Sequence, residues 1–139
     1  MLNNRNPLFS YVRLQPGPTA DGRLEVHEVF GLELAADLVV LSACETGLGT
    51  GSRREVPPGD DWVGLVRAFL FAGAESVVAS LWPVEDEVTA RLMQEFYKNL
   101  GDGPSKARAL AHAQRAFIYD EKRSSPFYWA AFGLTGDVQ

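Results

Sequence analysis

One thiol and one carboxylate in this 139-residue chain stand just past short apolar runs, where a sheet can present side chains for chemistry. Cys44 is the single cysteine. It closes the apolar run Leu38-Val39-Val40-Leu41-Ser42-Ala43 and precedes a loop that carries Gly47, Gly49 and Gly51. A thiol gains nucleophilicity when it is exposed and its pKa is lowered. Glycines at this density let a backbone approach a ligand closely or take positive φ. The competing role is that of a small buried hydrophobe, the usual state of a free cysteine. Asp86 follows a second apolar run through Trp82-Pro83-Val84-Glu85. Its carboxylate stands again on the carboxyl side of a run, and it suits an N-cap or first-turn position, where capping contributes roughly 0.5–2 kcal/mol to a helix. Of the two histidines, His27 is expected at a helix surface and His112 off the apolar stripe of its helix, so neither is the expected base for Cys44.

These residues need strands to carry them. Leu38 to Cys44 is short, β-branched and apolar throughout, as in a strand buried on both faces of a parallel or mixed sheet. Such sheets place their chemistry at the carboxyl ends of the strands. Ser76 to Leu81 reads as a second strand of this kind, ended by Trp82-Pro83. Between them Trp62, Val63, Leu65, Val66, Phe69 and Leu70 recur on one helical face from a cap at Asp60 or Asp61 to a glycine stop at Gly73. Strand, helix and strand in this order form a parallel crossover, right-handed by the general rule.

The flanks are less regular. Leu8 to Leu14 is expected to be a strand leading into the turn-rich segment 15–22, and residues 23–34 suit a short helix. A helix is expected from about Glu85 to Leu100, with Leu92, Met93, Phe96, Tyr97 and Leu100 inward and an acidic first turn facing the positive end of the helix dipole. Another runs from about Pro104, at a permitted first-turn position, to Tyr119. Its inward residues are Leu110, Ala113 and Phe117, with Ala111 and Ile118 as candidates beside them. Tyr128 to Leu134 reads as a last strand.

Bulk properties bound the setting. The length is that of one domain, and 46% hydrophobic with 22% charged residues is an ordinary globular composition. A net charge of -5 with no basic cluster beyond Arg53-Arg54 argues against nucleic acid and anionic membrane as partners. One cysteine forms no internal disulfide, in keeping with a reducing cytoplasm, and no run approaches the ~18 apolar residues of a membrane span. The expectation is a soluble, cytoplasmic protein with no metal and no cofactor.

Six segments in order carry a resemblance: "NPLFS" from Asn6, "DGRLEVHEV" from Asp21, "LVVLSACETGLG" from Leu38, "AGAESVVASLWPVED" from Ala72, "FYKNL" from Phe96 and "PFYWAAFGLTGD" from Pro126. Together they resemble the CHAT domain, a caspase-like and separase-like group of cysteine peptidase domains often attached to TPR repeats. The resemblance implies an α/β fold, a caspase-like three-layer sandwich, present here as the C-terminal part of the sheet with its helices. It maps the catalytic nucleophile onto Cys44, activated by a histidine, and a substrate-binding acid for Arg or Lys onto Asp86. The family's histidine lies in a His-Gly motif just ahead of the segment matching "NPLFS", where this sequence has Met1-Leu2-Asn3-Asn4-Arg5. Residues 1–139 are thus expected to form a single domain lacking its N-terminal part. Three functions follow: a cysteine endopeptidase domain acting on a protein or peptide once an upstream half-domain is supplied; a catalytically inactive interaction module partnered with a TPR-containing segment; and an anion-binding domain built on the 47–51 loop. The last is weak, because no Gly-Lys-Ser/Thr ending follows.

Overall fold

The computed structural model describes residues 6–42, 60–103 and 105–139. They form a mixed α/β arrangement with a two-stranded and a three-stranded sheet. The chain divides into two compact units, whose described parts are residues 6–39 with 60–77, and 40–42 with 78–103 and 105–139.

In the first unit a 3-10 turn, Pro7–Phe9, leads to β1 (Tyr11–Arg13), which pairs antiparallel with β2 (Arg23–Glu25). The expected strand from Leu8 is therefore shortened by one turn. Between β1 and β2, Gly17 and Ala20 form an isolated antiparallel bridge around the tip Pro18-Thr19. The expected helix within 23–34 is confined to α1 (Val26–Val29), because residues 23–25 are drawn into the hairpin. Val26 and Val29 are its buried residues.

Helix α2 (Asp60–Phe71) buries Leu65, Val66, Ala68 and Phe69. It stops at Gly73, whose φ of 107° lies in the left-handed region. A side chain there is doubly excluded, since a Cβ would come 2.3 Å from the Leu34 carbonyl oxygen. That close approach lets Leu34 N–H donate to Ala72 O at 2.6 Å and begins the pairing that passes through the parallel bridge Ala36–Ala74. The chain continues from these bridge residues into β3 (Val39–Leu41) and β4 (Ser76–Ser80), neighbours in the sheet order β3-β4-β5. The crossover expected from the sequence is thus present. Ser76, fully buried, donates its hydroxyl to Asp37 O at 2.6 Å, which satisfies a polar group inside the core.

In the second unit α3 (Asp86–Gly101) and α4 (Lys106–Ile118) pack side by side. Their shared core is Val88, Leu92 and Phe96 from α3 with Ala109, Leu110, Ala113 and Phe117 from α4, each at most 5% exposed. Tyr97 and Ile118 are 51% and 41% exposed, so the expected inward faces are narrower than the apolar residues alone suggest. Ser105 caps α4 by accepting from Arg108 N–H. The helix therefore begins after Ser105, and Pro104 lies outside the described residues. The expected strand 128–134 divides: a short helix α5 (Pro126–Trp129), capped by Ser125, precedes β5 (Phe132–Gly136). Residues 126–129 wind because Ser125 accepts from Phe127 N–H and Pro126 occupies the first turn, a start signal that outweighs the aromatic β preference. Among the described residues, no helix is long and apolar enough to cross a membrane.

Candidate functional site

Cys44 lies outside the described residues, as does the glycine loop 47–51. The strand that leads to it is described: β3 ends at Leu41, and all three of its residues are partly exposed.

Asp86 stands on the connection from β4 to α3. β4 is the middle strand of its sheet, with Ser76 to Ala79 buried. The chain then surfaces at Leu81, turns through Trp82-Pro83, buries Val84 and enters α3. Glu85 is the N-cap residue, its side chain makes no capping bond, and Thr89 N–H donates to Glu85 O to start the helix. Asp86 is the first helical residue. Capping is therefore not its role; as a first-turn acid it gains only the dipole interaction, about 0.3–1 kcal/mol. Its side chain is exposed and, among the described residues, has no hydrogen-bond or ion-pair partner.

Two neighbouring charges on α3 are engaged. Glu87 pairs with Arg123 at 2.7 Å. Arg91 donates to Asp120 at 2.6 Å and stacks over the Phe117 ring, 5.0 Å from its centroid. The Arg91 bond, helped by Lys122 N–H, holds the Asp120 carboxyl below the usual aspartate value. Four further bonds organise the segment opposite the connection. Trp82 Nε1–H donates to Phe127 O at 2.8 Å, and Leu81 N–H donates to Ala131 O at 2.7 Å. The amide of Gln114 donates to both Trp129 O and Phe132 O, at 3.2 and 3.0 Å. The roles of Trp82, Gln114 and Arg123 were not legible in the sequence. A tryptophan at a strand end and a glutamine within a helix carry no periodic signal, and only the course of α5 brings their acceptors within reach.

The histidines hold positions that the sequence anticipates. His27 is exposed on α1, its Nδ1 lying 3.2 Å from Glu25 Oε2 and 3.4 Å from Leu8 O, with its ring edge-on to Phe9. His112 is exposed on α4. Among the described residues no group of three or more metal-ligating side chains comes together.

Against known families, residues 1–137 match the model of the CHAT domain. Two curated proteins are similar: mouse (Mus musculus) tetratricopeptide repeat protein 28, 32% identical over 119 residues, and its human (Homo sapiens) counterpart, 34% identical over 119 residues. Each alignment covers 86% of this chain and 5% of the relative, so the chain spans a small part of the length of either.

Proposed function

Because this chain belongs to the CHAT domain family, we propose that it supplies the nucleophile and the basic-residue pocket of a caspase-like cysteine endopeptidase that cleaves after Arg or Lys. The supporting observation is the exposed Asp86 carboxylate, without a partner among the described residues, beyond the end of β4, the immediate neighbour of the strand that leads to Cys44. An exposed acid that neither caps its helix nor joins an ion pair is available to a ligand cation. A desolvated carboxylate–guanidinium pair carries charge-assisted, often bidentate, hydrogen bonds.

In this reading an imidazole takes the thiol proton of Cys44, the Sγ attacks the scissile carbonyl carbon, and the Cys44 N–H stabilises the oxyanion. The tetrahedral species collapses as the C–N bond breaks, and the leaving amine takes a proton from an imidazolium. Water then hydrolyses the thioester and frees the thiol. The imidazole is a histidine other than His27, already tied to Glu25 and Leu8 O, and His112 on the outer face of α4. The sheet β3-β4-β5 with its helices is, in the same reading, the C-terminal part of a caspase-like sandwich. A second reading, an interaction module without catalysis, draws on the tetratricopeptide-repeat proteins among its relatives.

The test is the rate at which peptidyl electrophiles label Cys44 in the native chain, followed by mass spectrometry. A probe ending in arginine should label faster than its neutral citrulline isostere, and Asp86→Asn should abolish the difference. Labelling only after unfolding, or equal rates for the two probes, would reject this reading in favour of the second.

A further inference from the structure

The β4–α3 connection is held on both sides of Asp86 by one stretch of chain. Ahead of it, Leu81 N–H bonds to Ala131 O and Trp82 Nε1–H bonds to Phe127 O. Behind it, Glu87 is bound by Arg123. All three partners fall within residues 123–131. That stretch is itself fixed: Ser125 caps α5, Trp129 Nε1–H donates to Ser124 O, and Gln114 clamps the exit from α5 through Trp129 O and Phe132 O.

These bonds do little for stability. The Trp82 bond is solvent-facing, and the Glu87 side chain of the Arg123 pair is 79% exposed, the setting in which ion pairs contribute least. They have a geometric effect instead. Asp86, with no partner of its own among the described residues, takes its place from the chain around it, which is anchored at Leu81 and Trp82 ahead and at Glu87 behind. The Arg123–Glu87 pair also commits the cation bound next to Asp86, leaving the Asp86 carboxylate without a cation among the described residues.

We infer that Trp82 and Arg123 are positioning residues for cation recognition, holding Asp86 in place through the 123–131 segment. This rests on the reading of Asp86 as the substrate-binding acid. Displacing a recognition group by about 1 Å can cost up to ~100-fold, so removing one anchor should weaken discrimination out of proportion to its effect on folding.

The experiment uses the full chain and the arginine and citrulline probes, with the ratio of their Cys44 labelling rates as readout. Trp82→Phe keeps the ring and loses the N–H donor; Arg123→Gln keeps length and loses the charge. Each should lower the arginine preference by about 10-fold or to unity, while the rate with iodoacetamide and the melting temperature stay near the parent's. A structural role alone would leave the ratio unchanged. If the parent shows no arginine preference, the reading of Asp86 falls and this inference with it. If the parent prefers arginine, Asp86→Asn abolishes the preference and both anchor variants retain it, the positioning role alone is overturned. Should Trp82→Phe fail to fold, Arg123→Gln decides.

Discussion

Two aspartates of the second unit show how much a carboxylate depends on its immediate company. Asp120 accepts from Arg91 and from Lys122 N–H, and its pKa is lowered below the ordinary 3.8. Since the unfolded chain binds that proton more readily, the pair's stabilisation is complete above the ordinary value and is lost as pH falls through the depressed one. Thermal melts from pH 6 down to pH 2 should therefore show a shallower acid-side decline for Asp120→Asn than for the parent; parallel curves would mean that the pair adds nothing. Asp86, by contrast, meets only solvent among the described residues. For its place in the helix the sequence offered a cap or a first-turn charge, and the structure narrows this to a first-turn charge, since Glu85 takes the cap position. What residue types could not disclose is the occupation of Glu87 by Arg123, a pairing between positions far apart in sequence that depends on where the chain turns after α4.

Among the elements, α2, β4, α3 and α4 follow from periodicity and end signals: a recurring apolar face or run, and Gly73 after α2. Their legibility has an energetic basis, because each presents one continuous stripe or run to a core. Phe96 and Phe117 lie fully buried between α3 and α4, so either replaced by Ala should cost about 3–5 kcal/mol in denaturant unfolding. Tyr97→Ala and Ile118→Ala, at exposed positions, should fall within ~0.5 kcal/mol. The reverse order would place the core on the other face. The shorter pieces were misread where local and non-local bonds compete. Residues 23–25 join a hairpin through pairing with β1, and 126–129 coil under a serine cap and a proline, although Phe127, Tyr128 and Trp129 favour strands. Spacing in a window of a few residues cannot weigh a partner that lies outside it.

At the scale of the whole molecule, the three-stranded sheet has β4 in the middle and β3 and β5 as its margins. β3 offers three partly exposed apolar residues, the kind of edge along which chains pair with one another. Light scattering over a concentration series should show self-association, and a melt that sharpens and rises with protein concentration should accompany it. A concentration-independent monomer would show that the edge is covered. The partition of the chain has a separate consequence for dissection. The first unit takes residues on both sides of β3, and the second takes the far part of β3 before resuming within β4. No single peptide bond separates them: a cut anywhere between 78 and 139 divides one unit, and a fragment beginning at 78 leaves two residues of its central strand and all of its flanking strand behind. The polypeptide is thus divisible in space but not in sequence, and its halves cannot be inherited, shuffled or expressed as consecutive modules.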